Sequence, residues 1–189
     1  MRVVPRQGGW VEIVCGPMFS GKSEELIRRL TRATIAGQRV ELVRPSSDTR
    51  GPDELVSHAG RRMRARRLGH LDELRRVEAD VLGVDEVQFF PFEIVEIIDE
   101  LAGSGMRVVC SGLDMDYRRR PWPVTQSLMA RAEFADKLQA VCHRCGGPAT
   151  LSQRLDEDGS PASESGPAIE IGAGGRYEAR CRGCYLPGR

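Results

Sequence analysis

Residues 16–23 read Gly16-Pro17-Met18-Phe19-Ser20-Gly21-Lys22-Ser23, which fits the pattern G-x-x-x-x-G-K-[ST]. Such a loop turns backbone N–H groups inward at phosphate. Its lysine reaches the β and γ oxygens, and its serine hydroxyl is offered to Mg²⁺. Glycine is needed where the backbone approaches phosphate closely or takes positive φ. The pattern alone recurs by chance, so its flanks decide. Val11-Glu12-Ile13-Val14-Cys15 before it reads as a buried strand. Residues 23–36 after it read as a helix, with Leu26, Ile27, Leu30 and Ala33 at helical spacing. Strand, glycine loop and helix in that order commit the chain to an α/β fold around a parallel sheet. Basic composition agrees: of 28 Lys and Arg residues only Lys22 and Lys137 are lysine. A chain that writes arginine almost everywhere keeps lysine where a compact ammonium must fit among phosphates.

The rest of the first 141 residues alternates in the same way. Residues 40–43 read as a second strand, with Gly37 ending the helix before it, and 45–60 as a loop rich in Pro, Ser, Asp and Gly. A short strand is expected over 63–68 and a short helix over 71–77. Residues 81–84 form a continuous apolar run, as a buried parallel strand would. Apolar residues at 92, 94, 95, 97, 98 and 101 predict a core-facing helix begun by Pro91. Another buried strand is expected over 108–110, a helix over 124–132 and a last strand over 138–141. Composition changes at Cys142, where short β-like pieces and a Gly- and Ser-rich stretch begin. The expected organisation is therefore a P-loop nucleotide-binding α/β domain over 1–141 and a small metal-stapled lobe over 142–189.

Net charge is +1, so there is no global electrostatic case for nucleic acid or a membrane surface. No stretch approaches the ~20 apolar residues of a membrane span, and Met1-Arg2-Val3-Val4-Pro5-Arg6 lacks the apolar core of a signal peptide. The expectation is a cytoplasmic, reducing location without a disulfide framework. Basic runs at 61–67 and 118–120 read as solvated surface, or as contacts to phosphates or a neighbouring subunit. Cys15 and Cys110 each end an apolar run and read as small buried hydrophobes. The other four cysteines stand as Cys142-His143-Arg144-Cys145 and Cys181-Arg182-Gly183-Cys184, two C-x₂-C pairs with 35 residues between them. Four thiolates at this spacing bind tetrahedral Zn²⁺, and a closed four-cysteine site is structural rather than catalytic. The intervening stretch exceeds the usual ribbon spacing and must form a loop or hairpin with its own purpose. His143, between two ligands, reads as incidental.

Asp85-Glu86 follows the apolar run 81–84. An acid at the end of a neighbouring buried strand holds Mg²⁺ in P-loop enzymes, and strand ends of open α/β sheets are where ligands bind. An adjacent carboxylate not committed to metal can take the proton of an attacking hydroxyl. Asp48-Thr49-Arg50, after the second strand, reads either as a solvated turn or as an arginine reaching the triphosphate with an aspartate supporting the metal.

These residues together resemble the thymidine kinases of the tetrameric, zinc-containing type. The loop GPMFSGKS stands letter for letter at 16–23, and the family's acid-acid-x-Gln-Phe-Phe motif matches Asp85-Glu86-Val87-Gln88-Phe89-Phe90. Leu113-Asp114-Met115-Asp116-Tyr117, Leu138-Gln139-Ala140-Val141-Cys142 and the closing segment 176–185 also look like that family, so the resemblance covers about residues 10–186. It implies transfer of a phosphoryl group from ATP to the 5′-hydroxyl of thymidine, giving dTMP. Gly16, Pro17, Met18, Phe19, Ser20, Gly21, Lys22 and Ser23, with Asp85, Glu86, Val87 and Gln88, would bind ATP, and Ser23 and Asp85 would serve Mg²⁺. Glu86 would be the base, acting with Lys22 and with Arg50 at the transferred group. Met18, Phe89, Leu113, Tyr117, Ser152, Ile169, Glu170, Ile171, Gly172 and Tyr177 would surround the nucleoside, the last part of this set on a lasso between the cysteine pairs. Cys142, Cys145, Cys181 and Cys184 would hold structural Zn²⁺, and the chain would form a homotetramer without nucleic acid or membrane as partner. Three departures stand out: an acidic segment over 156–165, Ala173 between Gly172 and Gly174, and Trp122 where phenylalanine is common. The alternative from another class is a zinc-ribbon P-loop ATPase acting on nucleic acid.

Overall fold

A computed structural model describes residues 8–48, 54–56, 60–168 and 176–188. In chain order the strands and helices are β1 Trp10–Gly16, α1 Lys22–Ile35, β2 Val40–Pro45, β3 Glu54–Val56, β4 Arg62–Arg64, β5 Arg66–Leu68, β6 Val81–Val84, α2 Ile94–Gly103, β7 Arg107–Leu113, α3 Pro123–Arg131, β8 Phe134–Lys137, β9 Ala140–Val141, β10 Pro148–Ala149, β11 Leu151–Leu155 and β12 Arg176–Arg180. Two 3₁₀ turns, Leu71–Arg76 and Val87–Phe89, join them.

The sheet has six strands in the order β5-β2-β6-β7-β1-β8, and every adjacent pair is parallel. Each crossover needs a connection over one face, so apolar side chains must point both ways along the strands. On one face Ile13, Cys15, Val84, Val108 and Cys110 pack beneath Ile94, Val95 and Ile98 of α2 and Val124 and Leu128 of α3. On the other, α1 lays Leu26, Ile27, Leu30 and Ala33 against Leu42, Val81 and Val109. The α1 face is a close approach: a Cβ on Gly83 would stand 2.5 Å from Leu30 Cδ1. Cys15 and Cys110 are buried in the core, and burial pushes the Cys15 thiol up to about 11.

A charged cluster is built into the β1–α1 contact. Glu12, on β1 and 4% exposed, accepts from Arg29 at 2.7 Å, from Arg107 at 2.7 Å and from Trp10 Nε1 at 2.8 Å. Arg29 also donates to Asp136 on β8 and to Glu25 one turn earlier on α1. Burial raises the Glu12 carboxyl, but the hydrogen bonds and charges of Arg107, Trp10 and Arg29 more than offset this, and it lies below the ordinary glutamate value.

Three strand expectations need correction. The segment 63–68 is two strands: β4 pairs antiparallel with β3, whereas β5 pairs parallel with β2, and buried Ala65 marks the change of partner. The stretch 45–60, expected as loop, therefore contributes β3 among its described residues. The last strand of the sheet is β8, at one of its edges, rather than 138–141. Phe134-Ala135-Asp136-Lys137 alternates partly buried and exposed positions and carries two charges, so it lacks the apolar run of a central strand. The pair Ala140–Val141 instead belongs to β9, which pairs with β10.

Beyond β8 the chain builds two antiparallel ribbons, β9–β10 and β11–β12, around a small core of Ala140, Cys142, Ala149 and Ala179 with Cys181 and Cys184 against it. Among the described residues no helix is long and apolar enough to cross a membrane.

Candidate active site and metal centre

The phosphate loop leaves the sheet at its C-terminal edge. β1 and β7 pair residue by residue up to Gly16↔Leu113, so the loop starts beside Leu113 and Asp114. Gly16 has φ +148°, and a Cβ there would stand 2.6 Å from the Leu138 carbonyl oxygen, which only glycine tolerates. Gly21, at φ +83°, caps α1. Inside the loop Ser20 Oγ donates to the Pro17 carbonyl at 2.8 Å and Lys22 Nζ donates to the same oxygen at 2.7 Å. Burial pushes the Lys22 ammonium below the usual lysine range; Glu86, Asp85 and Asp114, in that order, oppose it.

Asp85 and Glu86 follow β6 at the same sheet edge. Asp85 is 2% exposed, donates its N–H to the Val43 carbonyl at 2.9 Å and accepts the hydroxyl of Ser111 on Oδ1. Glu86 turns the chain into the 3₁₀ turn from a left-handed conformation, φ +50° and ψ +44°. A non-glycine residue held there stores backbone strain, a condition that clusters at functional sites. Its carboxylate is oriented by the buried Gln88, whose Nε2 donates to Glu86 Oε2 at 2.6 Å while its Oε1 accepts the Leu113 N–H at 3.0 Å. Gly112 makes room for this: a Cβ would lie 2.5 Å from Gln88 Oε1. The Gln88 amide, in the segment expected beside ATP, thus joins Glu86 to β7.

Other expected residues gather around this edge. Met18 donates its N–H to Ser152 Oγ at 3.0 Å, joining the loop to β11. Phe89 packs edge-on against Trp122 with centroids 5.9 Å apart. Tyr117 is buried; its hydroxyl donates to the Ser163 carbonyl at 2.8 Å, and the guanidinium carbons of Arg118 and Arg154 lie 5.6 and 5.3 Å from its ring centroid. The acidic segment thus begins as a turned extension of β11 tied to the body, with the Ala162 N–H on the Arg154 carbonyl. Tyr177 lies on β12, partly buried. Asp48 is buried beside Arg44 at 3.8 Å, so it is not part of a solvated turn. The expectations for Arg50, Ile169, Glu170, Ile171 and Gly172 lie outside the described residues.

Two arrangements were not read from sequence. Lys137 pairs with the buried Asp114 at 2.7 Å; the scarcity of lysine was the available signal. His143, between two of the cysteines, accepts the Ala179 N–H on Nδ1 at 3.1 Å and lays its ring against Phe19 at 5.5 Å between centroids, so it is not incidental.

The sulfurs of Cys142, Cys145, Cys181 and Cys184 all lie within 4.8 Å of one another. Cys145 and Cys181 are 3.7 Å apart, close to the ~3.8 Å edge of a tetrahedron with Zn–S bonds of about 2.3 Å. Backbone N–H groups of Cys181, Cys145 and Arg144 push the Cys142 thiol down to about 6, while hydrogen bonding with the Cys181 and Cys145 side chains pushes Cys184 up to about 12. Four soft sulfurs at these separations could hold a zinc ion.

A sequence model of the thymidine kinase family matches residues 9–185. The chain belongs to that family. Membership in the thymidine kinase family implies a kinase that uses ATP, and the glycine loop with the acids at β6 is the part of the chain whose chemistry suits phosphate. Among solved structures, domain III of the Thermotoga maritima replication initiation protein DnaA is similar at 17% identity and a TM-score of 0.40, over 70% of this chain and 55% of that one. The chain thus spans just over half the length of that chain.

Proposed function

We propose that the protein transfers the γ-phosphoryl group of ATP to the 5′-hydroxyl of thymidine, giving dTMP. One observation carries the reading: in a chain of the thymidine kinase family, Lys22, Asp85 and Glu86 stand at one sheet edge, close enough that both carboxylates act on the lysine ammonium.

The loop amides and Lys22 hold the donor phosphates and meet the negative charge that grows on them as the bond breaks. Ser23 and Asp85 supply the hard oxygen ligands that Mg²⁺ prefers, and the ion when bound neutralises phosphate charge. Glu86 receives the proton of the 5′-hydroxyl as its oxygen bonds to the γ-phosphorus and the bond to the β–γ bridging oxygen breaks. Gln88 holds Glu86 Oε2 and so sets the direction in which the carboxylate faces. Arg50 serves the transferred group. Met18, Phe89, Leu113, Tyr117, Ser152 and Tyr177, with residues 169–172, form the nucleoside site. Zn²⁺ on the four cysteines is structural, and the working form is a cytoplasmic homotetramer; these last points rest on the resemblance.

The test is incubation of the protein with each nucleoside and Mg-ATP, followed by detection of monophosphate. Thymidine should yield dTMP. No monophosphate from any nucleoside, with ATP hydrolysis stimulated by single-stranded DNA, would sink the kinase reading in favour of the nucleic-acid ATPase.

A further inference from the structure

Both lysines of this arginine-rich chain stand at the phosphate loop. Lys22 opens α1, and Lys137 closes β8 opposite Cys15 in the β1–β8 register. The Lys137 ammonium meets Asp114 at 2.7 Å, just past the end of β7. β1 lies between β7 and β8 in the sheet, so the ion pair bridges over the end of β1 where Gly16 begins the loop. The next residue braces the same place: the Leu138 N–H donates to the Cys15 carbonyl at 2.8 Å, and the Leu138 carbonyl sits under Gly16.

Asp114 is fixed and largely shielded from water. Its side chain is 5% exposed and Oδ1 accepts the Met115 N–H at 3.0 Å. It is also the third carboxylate, after Glu86 and Asp85, whose charge acts on Lys22. Three acids therefore gather at an edge where a polyanionic nucleotide must settle. A buried carboxylate without a counter-charge would repel the phosphates and compete with them for Lys22. A lysine suits the span: a slim stem delivers a point charge, where a planar guanidinium needs room for its fork.

We propose that Lys137 is a positioning residue for nucleotide binding: by neutralising Asp114 across the end of β1, it leaves Lys22 to the phosphates of the incoming nucleotide. The proposal rests on the loop being the ATP site and not on which hydroxyl accepts the phosphoryl group.

The test measures Mg-ATP affinity by calorimetry on the whole chain purified without chelator, for the parent, Lys137→Met, Asp114→Asn and the double variant, with a thermal melt of each. Lys137→Met should bind Mg-ATP about tenfold more weakly, the effect of one uncompensated charge roughly 10 Å away in a partly buried site. Asp114→Asn added to it should restore affinity to within about threefold of the parent. Two results would overturn the proposal: unchanged affinity in Lys137→Met, or a folded double variant as weak as the single one, which would make Lys137 a direct phosphate ligand or a structural tie. If Lys137→Met fails to fold, the double variant decides alone, near-parent affinity being expected and loss overturning it. Failure of thymidine to yield dTMP would remove the proposed acceptor and leave this comparison intact, because it reads ATP alone.

Discussion

Glu86, the residue proposed as base, combines a left-handed backbone just past the end of β6 with an amide that holds one of its carboxylate oxygens. Glu86→Gln keeps the shape and removes the proton acceptor. Turnover should fall by roughly 10²–10⁴, the usual contribution of a general base, while Mg-ATP binding persists; normal turnover in steady-state assays would dismiss Glu86 as the base. Asp85→Asn should instead raise the Mg²⁺ concentration needed for half-maximal rate. Gln88 offers a subtler case. Gln88→Met leaves the Leu113 N–H without its acceptor, costing about 1 kcal/mol of stability, and lets the Glu86 carboxylate swing. Turnover should drop by roughly tenfold to 10², and a melt shifted without a rate change would show that the amide serves the fold alone.

The β1–α1 contact is where one element is fastened to the sheet by charge as well as by apolar packing. Arg29 is buried among Glu12, Glu25 and Asp136, so removing Glu12 strands part of its charge. Glu12→Gln should destabilise the protein by about 3 kcal/mol, in the range for breaking a buried pair, measured by denaturant unfolding at neutral pH. The pH dependence has a definite sign. Glu12 and Glu25 are both lowered in the folded state, Glu25 to about 2 through hydrogen bonds from Arg28 and Arg29. Their contribution is present above the unfolded glutamate value of about 4.3 and is lost as pH falls through the folded values. Melting temperature should therefore drop between about pH 4.3 and pH 2, and Glu12→Gln should flatten that slope. A parallel decline in parent and variant would count against the cluster.

At the scale of the whole molecule, the cysteine lobe grips the phosphate loop. Met18 donates to Ser152 on β11, Phe19 lies against His143 between two of the cysteines, and Tyr185 donates to the Tyr117 carbonyl at 2.6 Å. A lobe serving only the nucleoside would leave ATP binding untouched when it loosens. These contacts instead predict that Cys142→Ser, or chelation of the zinc ion that the four cysteines could hold, weakens Mg-ATP and thymidine binding together. Calorimetry with each ligand before and after zinc removal, alongside metal analysis, reads this directly. Unchanged ATP affinity in zinc-free, folded protein would show that the lobe does not support the loop.

What was legible in the sequence is what a few neighbouring residues encode. The strand–glycine loop–helix run at 11–36, the apolar run ending at Asp85 and each of the two C-x₂-C pairs carry their meaning in the order and spacing of neighbouring residues, because helical period, burial and ligand spacing are local properties. From these, the parallel sheet, the loop's place at its edge and the four-cysteine cluster could all be expected. Tertiary structure alone decided the rest. β8 is a half-exposed edge strand with no apolar run, recognisable only once β1 offers it a partner. The change of pairing at Ala65 depends on β2 and β3 lying on either side of it. The Gln88 link to Leu113, the Lys137–Asp114 bridge and the Phe19–His143 contact join residues from 23 to 124 positions apart. Such contacts follow from strand order, which no short window of sequence contains, since parallel neighbours in the sheet must be separated by a crossover.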